Sequence, residues 1–328
     1  MSQKPIIAIT GASGFVGRYV VERLLEQGSV HIRCISRDKN KQPLFDKHDD
    51  ISYCTADILK PKTLDKAFEN AWAVINLAGL REFWSKDRKD FYRINEQGAN
   101  NVFAACLKAD IKRVIQVSTP LAYGIPKQLP FNESSAPGKH PSDYARSKYL
   151  GDSKAWELHK TKGLPLSIVY LAAVIGAGDK ASTMEVARAL QGDMPALIGA
   201  DTTYTYLYVR DAAEAIVRTL FKQDAIGKRY LIGTERATTR EYFSLIGDIA
   251  NVNIPKHNIP EALLMPFAKT MEACSKLTGK RPLLPIDVLK TTAAGSLLFD
   301  ASLATEELDL SYTSLRHALS EAIEDLQK

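Results

Sequence analysis

One segment near the N-terminus constrains this chain more than any other. Thr10-Gly11-Ala12-Ser13-Gly14-Phe15-Val16-Gly17 joins a continuous apolar run, Pro5–Thr10, to an amphipathic stretch, Phe15–Glu26. Glycine at such a turn permits positive φ and lets a phosphate approach the main chain. A helix that starts there adds free N–H groups and the positive end of its dipole. The spacing is G-x-x-G-x-x-G, one residue wider at the start than the usual dinucleotide fingerprint. A ligand-free glycine turn needs only the glycines. Their place after a buried strand and before a helix points instead to a bound dinucleotide, and no metal is implied.

The chain beyond the glycine turn has the matching rhythm. Apolar runs at His31–Ser36, Ala73–Leu77, Arg113–Val117 and Leu166–Tyr170 read as strands, and Pro61–Asn70, Phe91–Ala109 and Ser142–Thr161 carry helical periodicity between them. Alternation at this pitch predicts an α/β fold, a doubly wound parallel sheet of the Rossmann type covered on both faces. From about Ala173 glycines and prolines punctuate the chain. Tyr206–Val209 and Arg229–Ile232 read as short strands returning to the main sheet. Ile254–Pro285 carries five prolines around an apolar, Met-containing helix, which suits a small lobe folded over a ligand. The expected division is a dinucleotide-binding domain over 1–172, with 205–235 returning to it, and a smaller C-terminal α/β substrate-binding lobe from 173–204 and 236–328.

With 328 residues, 45% hydrophobic and 25% charged, the chain is an ordinary globular protein with ample core. Its net charge of +5 is scattered, which suits an anionic cofactor and gives no support to nucleic-acid binding. The four cysteines, Cys34, Cys54, Cys106 and Cys274, show no CxxC spacing and read as free thiols in a reducing compartment. No apolar run reaches the length of a membrane span, and the N-terminus runs straight into a strand. A cytoplasmic protein is the expectation.

The end of the second strand, Cys34-Ile35-Ser36-Arg37-Asp38, bears on the choice of dinucleotide. An acidic residue there holds both ribose hydroxyls, whereas an arginine pairs bidentately with a 2′-phosphate. Arg37 favours NADP(H) over NAD(H). Further on, Tyr144 and Lys148 are separated by four residues in the first turn of a predicted helix, which puts them on one face. An ammonium beside a phenol favours the phenolate and equips the tyrosine for acid/base work. Tyr123 and Lys127 repeat the spacing, but Gly124 and Pro126 break any helix between them. A third polar group, Thr119 in Val117-Ser118-Thr119-Pro120-Leu121, leaves the carboxyl end of a strand, where it can orient a substrate carbonyl.

Together these motifs resemble the extended short-chain dehydrogenase/reductase family up to about Thr239. The resemblance implies a catalytic set of Thr119, Tyr144 and Lys148, with Asn95 in Arg93-Ile94-Asn95-Glu96-Gln97-Gly98 as the helix asparagine that bends its helix and holds a proton-relay water. It implies cofactor contacts from Gly11, Ser13, Gly14, Phe15, Val16 and Gly17, from Arg37, and from Asp57 and Ile58 on the adenine side. Leu77, Ala78 and Gly79 of Asn-Leu-Ala-Gly, then Ser118, Tyr144, Lys148 and Leu171, complete that implied surface. Several departures narrow the class. Dehydratases carry Asp-Glu where this chain has Pro120-Leu121. Nucleotide-sugar enzymes carry an arginine where it has Tyr204, and an asparagine where it has Ala173; Tyr170 replaces another usual arginine. The nearer likeness is to dihydroflavonol-reductase-like and 3β-hydroxysteroid-dehydrogenase-like members. It implies a pocket of Trp84, Leu121, Tyr123, Ala173 and Tyr204, and reversible carbonyl/alcohol conversion on a small apolar or aromatic substrate. The rivals are an NAD-dependent nucleotide-sugar epimerase and a non-catalytic NADP-sensing protein. The resemblance leaves two oligomeric states open, a homodimer through the helices 91–109 and 142–161 or a monomer.

Overall fold

The computed structural model describes residues 4–38, 45, 48–179 and 186–328. Its main sheet holds β1 (Ile6–Thr10), β2 (His31–Ser36), β3 (Ile51–Thr55), β4 (Ala71–Asn76), β5 (Arg113–Ser118), β6 (Leu166–Leu171) and β10 (Arg229–Ile232) in the order β10-β6-β5-β4-β1-β2-β3. Every pairing is parallel, so both faces need a helical cover and the strands read as unbroken apolar runs. The covers are α1 (Phe15–Gln27), α2 (Pro61–Phe68), α4 (Ala99–Lys108), α5 (Asp143–Lys162) and α6 (Val209–Phe221). Strand order reverses between β1 and β4, which opens a crevice at their carboxyl ends. There Thr10 sits opposite Asn76, and its hydroxyl donates to the Asn76 carboxamide oxygen at 2.6 Å.

Three details depart from the sequence reading. β3 was not foreseen: Ile-Ser-Tyr-Cys-Thr is a half-buried edge strand with no long apolar run. The helix expected over 91–109 is α3 (Lys89–Tyr92) followed by a π turn over Arg93–Gly98 and then α4. Such turns insert one residue into the helical ladder and re-aim a side chain, here the buried Asn95. Of the two strands expected to return to the main sheet, only Arg229–Ile232 does so. β9 (Thr203–Tyr208) is instead the middle of a second sheet, antiparallel to β11 (Glu235–Thr238) and parallel to β7 (Ala173–Ile175). β7 and β11 follow β6 and β10 after short breaks, the second at Gly233 with φ +127°. The small sheet therefore grows from the carboxyl edge of the large one.

The smaller lobe adds β8 (Leu197–Ile198), β12 (Asn258–Ile259), α7 (Thr239–Ala250), α8 (Glu261–Thr278) and α9 (Ile286–Ala293). The C-terminal helix, α11 (Leu315–Leu326), follows the short α10 (Ser302–Glu307). Among the described residues no helix is long and apolar enough to cross a membrane.

α5 is held closely against the π turn. Ser142 caps it, its hydroxyl accepting from the Ala145 amide at 3.2 Å, and Gly163 ends it in the left-handed region. At Gly151 a Cβ would overlap the carbonyl oxygen of Asn95. Gly151→Ala should therefore force the two helices apart and cost about 1–3 kcal/mol, as overpacking does. Denaturant unfolding checks this; an unchanged midpoint would show that the contact is loose.

Candidate active site

The glycine loop is built for close backbone approach. Gly11 has φ +74°, and a Cβ on it would lie 2.9 Å from both the Leu77 carbonyl carbon and the Ala78 amide nitrogen. A Cβ on Gly17 would overlap the Gly11 carbonyl oxygen, to which the Gly14 amide donates at 2.9 Å. Gly14 begins α1 with no capping side chain, so the first N–H groups of the helix face the crevice with the loop. Two positions that admit no side chain, Gly11 and Gly17, and a third that is tight, Gly14, at a helix N-terminus and beside the sheet's reversal point, fit a pyrophosphate. Ser13, Phe15 and Val16 surround it, none of them fully buried. Leu77, Ala78 and Gly79 form the opposite wall, the Leu77 amide donating to Thr10 O at 3.1 Å.

The adenine side is less committed. Arg37 is exposed just past β2. Asp57 turns its own loop, one carboxylate oxygen accepting from the Leu59 amide at 3.0 Å. Ile58 is buried against Gly98, where a Cβ would meet its side chain at 2.7 Å. Leu171 is buried at the end of β6.

Thr119, Tyr144, Lys148 and Asn95 are brought together. Tyr144 is buried on the first turn of α5, hydrogen-bonded to the Thr119 side chain. Lys148 Nζ donates to the Val117 carbonyl at 2.9 Å. The Asn95 carboxamide accepts from the Leu80 amide at 2.7 Å and donates to Leu80 O and to Ser147 Oγ, each at 3.0 Å. Ser147 Oγ in turn donates to Tyr144 O at 2.9 Å. Asn95 thus braces both the start of α5 and the chain after β4.

One expectation is reversed. An ammonium at the next turn was to favour the phenolate. Burial is instead the largest influence on Tyr144 and pushes its pKa up to about 12; Arg81 and the Thr119 hydrogen bond pull it partly back. Lys148 is turned toward Val117 O, and its charge is balanced elsewhere. Tyr144 is therefore a neutral phenol across the physiological range.

The balancing group, Asp152, was missed from sequence. It is buried one turn beyond Lys148. A buried thread runs to it across the sheet: Asn76 Nδ2 donates to Gln116 Oε1 at 2.7 Å, Gln116 Nε2 donates to Asp152 Oδ1 at 3.3 Å, and Ser118 Oγ donates to Asp152. Burial pushes Lys148 down and Asp152 up, and each charge pulls the other back. Ser118, read as a cofactor contact, thus spends its hydroxyl on Asp152. The signal available was an acidic residue at i+4 from a lysine on one helix face.

Three further side chains bear on Tyr144 and its helix. Arg81 lies with its guanidinium 5.8 Å from the Phe15 ring centre, pairs with the buried Asp179 at 2.7 Å, and is the cation that acts on Tyr144. Phe83, not Trp84, meets Tyr144, edge-on at 5.8 Å between ring centres. Arg88 spans Asp143 beside Tyr144, at 2.5 Å, and the buried Asp287 of α9, at 3.0 Å. It ties the smaller lobe to the start of α5.

The residues expected to line a substrate pocket divide. Trp84, Leu121 and Tyr204 are half-buried and Ala173 is exposed; the Tyr204 hydroxyl donates to Thr292 Oγ1 of α9 at 3.4 Å. Tyr123 is packed away, its ring 4.9 Å from Phe131 and 5.1 Å from Tyr170 and its hydroxyl donating to Glu133 O at 3.1 Å. Gly124, at φ +66°, turns the chain there, and Tyr123 serves the core.

A glycine cradle at the reversal point of a parallel sheet, with a serine/threonine–tyrosine–lysine set at the neighbouring strand end, defines a dinucleotide-dependent class of α/β protein. The model of the NAD dependent epimerase/dehydratase family matches residues 7–233, more than half of the chain, and the chain belongs to that family, within the extended short-chain dehydrogenase/reductases. It is 29% identical over 327 residues to a Synechocystis protein described as "Putative dihydroflavonol 4-reductase", with 96% of this chain and 92% of that one covered. It is 26% identical to an Arabidopsis thaliana 3β-hydroxysteroid-dehydrogenase/decarboxylase (isoform 1), covering 92% of this chain and 75% of that one. A solved UDP-glucuronic acid 4-epimerase from Bacillus cereus, in complex with NAD, shares the fold at a TM-score of 0.79 and 22% identity, with 98% of each chain covered.

Asp152→Asn removes the anion that holds Lys148 charged against burial. The Lys148 pKa, already lowered by burial, should fall further, moving the alkaline limit of dinucleotide binding toward neutral pH. Binding titrations between pH 6 and pH 10, as about the workable range, check this. Superimposable profiles for wild type and variant would refute the coupling.

Proposed function

We propose that this protein is an NADP(H)-dependent oxidoreductase that interconverts a carbonyl and an alcohol on a small apolar or aromatic substrate. The observation that carries the proposal is the buried, neutral Tyr144 phenol hydrogen-bonded to Thr119. A phenol held protonated is equipped to donate a proton to a carbonyl oxygen. In this reading Thr119 orients the substrate oxygen and Tyr144 protonates it. Lys148, kept charged by Asp152, grips the nicotinamide ribose, and Asn95 keeps the start of α5 in register. NADPH, when bound, supplies the hydride. Arg37 meets its 2′-phosphate, and the glycine loop and α1 hold the pyrophosphate. Phe83, Trp84, Leu121 and Tyr204 give the substrate side an aromatic and apolar lining.

The resemblance to reductases and dehydrogenases over nearly the whole chain supports this reading. The nucleotide-sugar epimerase reading draws on the same family and on solved neighbours. Tyr204 weighs against it, where such enzymes carry a diphosphate-binding arginine.

Tyr144→Phe should lower carbonyl reduction by at least about 100-fold, the usual weight of a general acid, and leave NADPH affinity within a few-fold. Steady-state rates and a binding titration measure both; full activity would end the proposal. Arg37→Asp should cut the preference for NADPH over NADH by about 10- to 100-fold, the worth of a charge-assisted hydrogen bond pair, read as a ratio of dissociation constants. With the Tyr144 pKa near 12, the acid form persists below that value. The reductive kcat should therefore show no loss from Tyr144 ionisation between neutral pH and pH 9 (roughly three units below its midpoint), while the reverse oxidation, which needs the base, rises with pH. A reductive rate falling around pH 7 would contradict the assignment.

A further inference from the structure

The smaller lobe carries a helix whose apolar face is on the outside. α8 turns Ala268 and Ser275 inward. Glu272 also faces in, its carboxylate accepting from the Ile286 amide at 3.0 Å and lying 3.9 Å from Arg88. On the opposite side Leu263, Phe267, Thr270, Cys274 and Leu277 follow one another at intervals of four and three residues, and all are exposed. Leu263 is 72% exposed, Phe267 48% and Leu277 90%, and Leu283 just beyond the helix is 62% exposed. Four of the seven large hydrophobic side chains exposed among the described residues fall in this one stretch. A scatter of single apolar residues is normal; a concentrated stripe marks an interaction surface.

The charge around the stripe identifies what it meets. Lys269 and Lys276 flank one margin of the helix and Lys280 follows its end, all three exposed; Arg281, beyond them, is paired with Glu82 at 3.0 Å. The carboxylates of this region are engaged elsewhere: Glu272 and Asp287 are taken inward by Arg88, Glu82 is neutralised by Arg281, and Glu261 is half-buried. An outward apolar stripe bordered by lysines, with no acidic side chain on it, has the make-up of a helix that lies in a lipid interface: apolar groups enter the acyl boundary while lysines reach anionic headgroups.

We propose that α8 docks this protein on the surface of an anionic lipid bilayer, lying in the plane of the headgroups without spanning them. The surface stands independently of the catalytic assignment. It places the lobe tied by Arg88 to the start of α5 against a reservoir of apolar molecules.

Vesicle co-sedimentation of the full chain tests the proposal, with phosphatidylcholine vesicles alone or mixed with phosphatidylglycerol. Wild type should pellet with the anionic vesicles at low salt, several-fold less with neutral ones, and be released at about 0.5 M salt, where screening is nearly complete. The variant Leu263→Ser/Phe267→Ser/Leu277→Ser changes only exposed side chains and should lose binding by at least about tenfold, given the transfer cost of three apolar groups. The variant Lys269→Glu/Lys276→Glu should lose the preference for anionic lipid. Thermal melts of both variants should match wild type. The proposal is overturned if wild type stays in the supernatant with both vesicle types, or if the triple-serine variant binds as wild type does. It is equally overturned if sedimentation velocity without lipid shows a wild-type dimer that the triple-serine variant dissociates, since the face is then covered by a second copy. None of these readouts uses turnover, so their failure leaves the oxidoreductase reading untouched, and the converse holds.

Discussion

A charge in the interior is expensive, and Lys148 is a charge in the interior. What makes it tolerable is Asp152, one turn further along α5, and what makes Asp152 tolerable is the set of donors from β5, Gln116 and Ser118. Gln116 leads through Asn76 of β4 to Thr10 of β1, the last residue before the glycine loop. One line of side chains thus crosses four elements, from the glycine turn to α5. Every member is buried, so a break leaves an unsatisfied polar group in the core, a larger loss than the bond itself. The line fixes where the loop and α5 stand relative to each other, and the chemistry proposed at Tyr144 depends on it.

The same economy explains the second anchor. Tyr144 is braced from behind by Asn95 through Ser147, which requires the π turn in the preceding helix and a glycine at 151 for α5 to come close. From the front, Arg88 holds Asp143 and the buried Asp287 together, so the smaller lobe is registered on the helix that carries Tyr144 and Lys148. Phe83 and Arg81, both on the segment after β4, supply an aromatic edge and a cation to the phenol.

The parallel sheet and its glycine turn were legible in the sequence because a strand buried on both faces leaves an unbroken apolar run and a phosphate cradle tolerates no Cβ. That Thr119, Tyr144, Lys148 and Asn95 come together was legible from spacing and family resemblance. β3 was not, since an edge strand half open to solvent carries no such run. β9 was assigned to the wrong sheet because short strands announce their existence but not their partners, which depend on where β7 and β11 emerge. Arg81 and Arg88 were missed because each acts on residues far away in sequence; Asp152 had a local signal in its spacing from Lys148, but its weight comes from burial, which local pattern does not show. The influence of Lys148 on Tyr144 was misjudged on the same ground, burial outweighing a nearby ammonium that is already engaged.

The most direct test tracks the hydride. Purified protein, NADPH deuterated at the reactive carbon of the nicotinamide, and a panel of apolar aldehydes and ketones are incubated together, and the products are read by mass spectrometry and NMR. The account predicts an alcohol bearing one deuterium on the former carbonyl carbon, with NADPH consumed in equal amount, and no such product from the Tyr144→Phe protein. Conversion of a UDP-sugar to its epimer with no net consumption of NADPH, and no labelled alcohol from any carbonyl compound, would contradict it.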